Sequence, residues 1–123
     1  MKIKFSGFDS ISLSDKREEL VHVFTSGHCH SLSLAIHRLT QFPLVITVRH
    51  MGALTTTGKI LDINGLRSPE IFEKNWGKIR DVLLDDKDIM EKIENIWGNP
   101  YILCSLEAKP FAEKLLRKYK LQI

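Results

Sequence analysis

The sequence has little cysteine and no long run of apolar residues. Its two cysteines, Cys29 and Cys104, are too few in 123 residues for a disulfide framework, so we expect reduced thiols. No stretch approaches the roughly 20 apolar residues that a membrane-spanning helix needs. The first eight residues also lack the apolar segment of a signal peptide. These absences predict a cytoplasmic protein without a membrane partner.

A marked excess of charge of one sign is also missing. The chain has 18 basic and 15 acidic residues, and its net charge of +3 is too small to favour a nucleic-acid partner. No internal repeat, low-complexity segment or linker divides it. With 43% hydrophobic residues, the composition predicts one globular domain over residues 1–123, long enough to bury a core.

The most informative stretch runs from Ser26 to Leu39. A Ser-Gly break is followed by apolar residues spaced i, i+3, i+4 and i+7, which predicts an amphipathic helix from about Cys29 to Thr40. At about 100° per residue, Cys29 projects on the same side as this apolar stripe. Backbone N–H groups and the dipole at a helix N-terminus lower a thiol pKa and can stabilise an oxyanion. The position suits a nucleophile, and a buried structural cysteine would show the same pattern.

Two strands are predicted after this helix. Residues 44–50 are rich in β-branched side chains, and alternation places Val48 and His50 on the apolar face, with His50 at the end of that strand. Residues 51–58, with two glycines and three consecutive threonines, are predicted to be a connection. Residues 59–64 form the second strand, on which Asp62 and Asn64 share a face. An antiparallel hairpin of these strands would bring His50 near Asp62 or Asn64. Cys29, His50 and Asp62 are therefore candidates for a nucleophile, a base and an orienting carboxylate, with Asn64 as the alternative orienting group.

Further elements are predicted on both sides of these strands, and residues 2–8 alternate in a way that favours a short N-terminal strand. One helix spans about residues 15–24, and Ser68 with Pro69 opens another that ends at Gly77. The packed residues of this second helix are predicted to be Ile71, Phe72 and Trp76.

A third helix begins near residue 86 and ends before Gly98 and Pro100, and residues 101–104 are predicted to be a short apolar strand or extended link. The last helix ends near residue 120, and Pro110 suits only its first turn. We therefore expect an α+β domain, in which a central cysteine-bearing helix packs on a small antiparallel sheet. The C-terminal half is predicted to be helical.

The order of these motifs resembles two groups of proteins. Residues 26–66 resemble small bacterial and phage proteins that carry the pattern G-x-C-H…LALH-x-LT…P…H…D-I-x-G. A cysteine that opens a helix, followed by a histidine and an acid on the next strands, also resembles the papain-like and transglutaminase-like cysteine hydrolases. This resemblance implies a papain-like core over about residues 14–66, a helical part over about 67–123, and a triad of Cys29, His50 and Asp62. It also implies a protein or peptide-like substrate and no cofactor.

The favoured function is a thiol-dependent hydrolase or acyl transferase of peptidase, amidase or deamidase type. The chain departs from the papain pattern, because no glutamine precedes Cys29 where papain-type enzymes place an oxyanion donor. Ser26, His22 or His28 could take that role.

Two alternatives to the enzyme stay open. One is a non-enzymatic interaction module, of inhibitor or immunity type, with a relic triad. The other is a zinc site, for which four residues are suitable by type: His28, Cys29, His30 and His37. Adjacent residues on a helix diverge by about 100°, which makes the zinc site the less favoured of the two.

Overall fold

The computed structural model describes residues 2–97 and 104–121. The fold is α+β, as the sequence predicted, and five helices and five strands are described. In chain order the elements are α1 (Arg17–Ser26), α2 (Cys29–Thr40), β1 (Leu44–Ile46), β2 (Met51–Leu54), β3 (Ile60–Asp62), β4 (Gly65–Arg67), α3 (Pro69–Trp76), β5 (Asp81–Leu83), α4 (Asp86–Trp97) and α5 (Ser105–Lys118). The strands form one sheet in the order β4-β3-β2-β1-β5, with antiparallel neighbours throughout.

Helix α2 is the centre of the fold, and its bounds are the predicted ones. Every residue from Cys29 to His37 is buried, because α2 packs against α1, α5 and β2 at once. The helix ends where Gln41 adopts a left-handed conformation, with φ at 66°, and its N–H donates to the carbonyl of His37. This enclosure fixes where the first turn of α2, and so Cys29, lies against the sheet.

The sheet is covered on both faces. Leu44, Ile46 and Leu61 belong to the main core, which contains the apolar residues of α2. Val45 and Ile60, which alternate with them along the strands, pack instead with Phe72 of α3. Gly52 allows α3 to approach, since a Cβ at this position would lie 2.6 Å from Ile60 Cγ2 and 3.1 Å from Phe72 Cε1. Helices α2 and α3 therefore lie on opposite faces.

The structure corrects the predicted strand 44–50 and the predicted connection 51–58. Strand β1 ends at Ile46, and residues 47–50 form a turn in which the Thr47 hydroxyl oxygen accepts the backbone N–H groups of Arg49 and His50 at 3.2 and 3.0 Å. Val48, predicted on the buried face, is 58% exposed. The predicted connection 51–58 contains β2, which pairs with both β1 and β3. A threonine side chain that bonds the local backbone competes with strand pairing, and β-branched composition does not reveal this competition.

The predicted start of α3 is confirmed. The Ser68 hydroxyl oxygen accepts the N–H of Ile71 at 3.3 Å, and Pro69 is the first helical residue. Ile71 itself is exposed, so its predicted packing was wrong, whereas Phe72 is buried.

Other boundaries differ from the prediction. Helix α1 begins and ends about two residues later than predicted, and the N-terminal strand is reduced to one bridge between Ile3 and Ile11. Pro110 is the sixth residue of α5 and not part of its first turn. Strand β5 interrupts the C-terminal half that was predicted to be helical. The predicted stop at Gly98 and Pro100 and most of the segment 101–104 lie outside the described residues. None of the described helices has the length and apolar character needed to cross a membrane.

Because α2 is enclosed, we expect alanine substitutions of a buried and of an exposed leucine to differ strongly in their effect on stability. Leu34→Ala should lower the free energy of unfolding by about 2–5 kcal/mol, because Leu34 is fully buried in α2. Leu106→Ala on α5 is the matched control, since Leu106 is 80% exposed, and it should change stability by less than about 0.5 kcal/mol. Equilibrium urea denaturation measures both, and equal losses would contradict the described packing.

Candidate functional site

His50 and Asp62 are in direct contact. His50 Nε2 lies 2.8 Å from Asp62 Oδ2, and both side chains are buried. The other carboxylate oxygen, Asp62 Oδ1, accepts the backbone N–H of Asn64 at 2.8 Å. The backbone N–H of His50 donates to Thr47 Oγ1. The turn over residues 47–50 therefore orients the imidazole, and the turn after β3 orients the carboxylate.

The contact arises from a different strand pairing than the sequence predicted. Strand β2, which begins directly after His50, pairs with β3 in the register Ala53 opposite Leu61. Continuing this register places Asp62 opposite Gly52, so its side chain lies on the same face of the sheet as His50, two residues earlier, and reaches the imidazole diagonally. Asn64, the predicted alternative to Asp62, instead accepts a hydrogen bond from Arg17 through its side-chain oxygen, at 3.2 Å. Asp62 is thus the partner of His50.

Trp76 covers the imidazole of His50. The two rings are stacked, with centroids 3.9 Å apart and an interplanar angle of 20°. Phe72, on the same helix, lies further from the imidazole, at 5.7 Å between centroids. The guanidinium of Arg49 donates to the backbone carbonyl of Asn75 at 3.4 Å and so links the turn to the end of α3. The sequence predicted Trp76 only as a packing residue of α3, and its spacing gave no sign of this stack.

The second imidazole nitrogen has a different environment. His50 Nδ1 is buried and has no hydrogen-bond partner in the described part of the chain. Such groups are rare, since most buried polar atoms are paired. Because Nε2 faces a carboxylate, the neutral ring carries its proton on Nε2 and leaves the lone pair on Nδ1. Nδ1 is therefore a nitrogen that can accept a proton.

Cys29 lies at the first position of α2 and is 5% exposed. Its thiol is close to the backbone N–H of Met51, the residue that follows His50, and to the backbone N–H of His30. Burial raises the pKa of the Cys29 thiol to about 11, and the nearby charge of Asp62 adds to this rise, while these two N–H groups and the N–H of Cys29 itself oppose it. The expected lowering of the thiol pKa at the helix N-terminus was therefore wrong, because loss of hydration outweighs the backbone dipoles. The thiol is protonated at neutral pH.

The histidines of the zinc alternative have structural partners. His28 Nδ1 lies 3.1 Å from Ser31 Oγ, and His28 Nε2 lies 2.9 Å from the carbonyl of Ser6. His37 Nδ1 lies 2.8 Å from the carbonyl of Phe42. Within residues 2–97 and 104–121, no group of three His, Cys, Asp or Glu residues could hold a metal ion.

Cys104 differs from Cys29 in its surroundings. It is buried next to the start of α5, and its backbone N–H donates to Ser31 Oγ at 3.0 Å. Burial is the largest cause that raises the pKa of its thiol. Among the described residues, no hydrogen bond joins either cysteine to His50. Cys29 lies near the charge of Asp62 and Cys104 does not, so Cys104 serves as a control thiol.

The site is closed to solvent. His50 is fully buried, and Asp62 is 3% exposed. A polar cavity of about 510 Å³ lies elsewhere, between the N-terminal segment 2–11 and α1, and no triad residue lines it.

Comparison of the whole chain with family models, with curated proteins and with solved structures finds no match. The geometry of the described residues alone therefore carries the functional argument.

The raised thiol pKa predicts a pH-dependent loss of stability. Between about pH 9 and 11 the unfolded chain loses the Cys29 proton while the folded chain keeps it, so the free energy of unfolding falls as the pH rises. Cys29→Ser removes this titration. The stability of the variant relative to wild type should therefore rise by about 1 kcal/mol from pH 8 to pH 10. Urea denaturation of both proteins at the two pH values measures the difference. If the free energy of unfolding of wild type instead rose relative to that of Cys29→Ser as the pH increased, the folded state would stabilise the thiolate.

Proposed function

We propose that the protein is a thiol-dependent hydrolase or acyl transferase that acts on an amide-like bond of a protein or peptide-like substrate. Cys29 is the nucleophile, His50 the general base and acid, and Asp62 the orienting carboxylate. One observation carries the proposal. The imidazole is bonded through Nε2 to Asp62, while Nδ1 remains buried and unpaired beside the strand start that contacts the Cys29 thiol. In this proposal the unit from α2 to β3 is a papain-like core, in agreement with the resemblance of residues 26–66.

The first chemical step uses the unpaired nitrogen. His50 Nδ1 takes the proton from Cys29 Sγ as the sulfur attacks the carbonyl carbon and a C–S bond forms. The imidazolium that results is stabilised by the Asp62 carboxylate on Nε2. The backbone N–H groups of Cys29 and His30 face the thiol at the start of α2 and supply donors for the developing oxyanion. This arrangement supplies donors without the glutamine that the papain pattern would place before Cys29.

The second step returns the proton. Protonated His50 Nδ1 donates to the leaving nitrogen, the C–N bond breaks, and a thioester on Cys29 remains. Water or an amine then attacks the thioester while Nδ1 again accepts a proton. Release of the acid or of the new amide restores the thiol. The choice between water and an amine separates a hydrolase from a transferase.

Substrate access requires part of the cover to move. Trp76 is half-buried and stacks on the imidazole, and Phe72 is the buried side chain that anchors α3. Helix α3 ends at Gly77, whose φ of 97° is strained for other residues. In the proposed cycle the end of α3 shifts and uncovers the imidazole of His50. The resting site is then closed, and its thiol stays protonated until substrate displaces Trp76.

The same burial favours a second candidate function. A triad with 5% exposure at the nucleophile and a thiol pKa of about 11 also fits a relic site inside an interaction module. In that case the biological effect of the protein would depend on its surface and not on Cys29.

Acylation with a small activated ester tests the enzyme proposal. The p-nitrophenyl ester of N-acetylglycine should acylate Cys29, with an Sγ–C bond formed and nitrophenolate released, and intact-mass spectrometry should show one added acyl group. His50→Ala should slow this reaction by about 100-fold or more, because it removes the base. Cys104→Ser is the matched control and should react at the wild-type rate.

The interaction module predicts the opposite pattern. Wild-type protein would then release nitrophenolate no faster than Cys29→Ser. The cellular effect of Cys29→Ser, at matched protein level and with a native circular dichroism spectrum, would equal that of wild type. This combination would overturn the hydrolase proposal.

A further inference from the structure

A cavity of about 160 Å³ lies between α1, α5 and the turn that joins β3 to β4. Four apolar side chains form its lining, and four charged side chains surround them. The apolar residues are Leu20, Ile63, Phe111 and Leu115, and the charged residues are Asp15, Arg17, Lys114 and Lys118. The cavity therefore combines an apolar interior with a rim on which positive charge exceeds negative charge.

The one carboxylate of the rim has its partners within the chain. Asp15 accepts the backbone N–H of Ser12 at 2.7 Å and the Ser12 hydroxyl at 3.0 Å. The backbone N–H of Ser12 is the largest of the causes that lower the pKa of Asp15, so the group is ionised and held at the start of α1. The described hydrogen bonds of the Asp15 carboxylate are thus to Ser12 and not to a basic residue of the rim.

The three basic side chains contact neutral groups. Arg17 donates to the Asn64 side-chain oxygen, and Lys114 donates to the carbonyl of Leu13. The Lys118 ammonium lies 5.5 Å from the centre of the Tyr119 ring. None of the three forms an ion pair with a carboxylate of the described residues. Their charge is thus available to an anion at the cavity mouth.

We propose that this cavity binds a small amphiphilic carboxylate, with its apolar body against Ile63 and Phe111 and its carboxylate at Arg17 and Lys118. The volume suits a body of about the size of a benzene ring, which fills an apolar cavity of about 150 Å³. Guanidinium and ammonium groups favour a carboxylate over a neutral or cationic head group. Apolar lining and unpaired cations together select an anion with an apolar tail over a fully polar anion.

The cavity is distinct from the candidate triad but borders it. Ile63, which forms part of the lining, lies between Asp62 and Asn64 in the β3–β4 turn. None of Cys29, His50 and Asp62 lines the cavity. Binding here therefore does not depend on thiol chemistry, and Cys29→Ser should bind the carboxylate as wild type does. The carboxylate-binding proposal and the hydrolase proposal can therefore fail independently, and the experiments distinguish the two failures.

Titration of ¹⁵N-labelled full-length protein with 3-phenylpropionate tests the proposal. Amide resonances of Leu20, Ile63 and Leu115 should shift and saturate at up to about 10 mM ligand, as expected for weak binding of so small a molecule. The neutral amide of the same acid, which has the same size and shape, should bind at least about fivefold more weakly. Added salt should weaken binding of the acid and leave binding of the amide unchanged.

Variants locate the carboxylate. Arg17→Gln should weaken binding of the acid by about two- to fivefold, the range of an exposed ion pair, and leave binding of the amide unchanged. Lys109→Gln is the matched control, because Lys109 is an exposed residue of α5 outside the cavity lining. Equal affinity for acid and amide, shifts at other residues, or no saturable shift would overturn the proposal. Shifts caused by anionic lipid vesicles and not by the free acid would assign this face to a membrane surface and would also overturn it.

Discussion

The hydrogen bond between His50 Nε2 and Asp62 Oδ2 is the interaction on which the candidate site depends. It joins the turn before β2 to the end of β3, and it lies where neither group can exchange its partner for water. A buried carboxylate needs such partners, and here the second oxygen is held by the N–H of Asn64. The stacked ring of Trp76 keeps water from the pair. The imidazole therefore has one orientation, with Nδ1 as its free nitrogen.

The environment of Cys29 shows two opposing effects at one helix terminus. Backbone N–H groups from His30 and Met51 favour the thiolate, and burial disfavours it by more. A rise in pKa from 9.0 to about 11 corresponds to about 3 kcal/mol against ionisation in the closed structure. Proton transfer to His50 in the proposed mechanism is therefore coupled to opening of the cover. A closed, protonated thiol is also protected from oxidation and from unselective alkylation.

Local sequence patterns predicted the parts of the structure that local interactions determine. The spacing of apolar residues gave the bounds of α2, and Ser68 with Pro69 gave the start of α3, because stripes and caps are visible within a few residues. The pairing of β2 depends on the turn that Thr47 forms with residues 49 and 50, which strand composition does not show. The stack of Trp76 on His50 joins residues far apart in the chain. The thiol pKa depends on how deeply the whole fold buries Cys29, so residue type and helix position predicted the wrong direction.

The protonation of the two ring nitrogens of His50 is the most direct test of the proposed role of this imidazole. Long-range ¹H–¹⁵N correlation spectra of the folded protein at neutral pH distinguish a protonated ring nitrogen from one with a free lone pair. We expect His50 to carry its proton on Nε2, with slow exchange because of the bond to Asp62, and Nδ1 to have the chemical shift of an unprotonated nitrogen. Asp62→Ala should remove the slow exchange without unfolding the chain. A proton on Nδ1 in the wild-type protein would leave no base for Cys29 and would contradict the proposed role of His50.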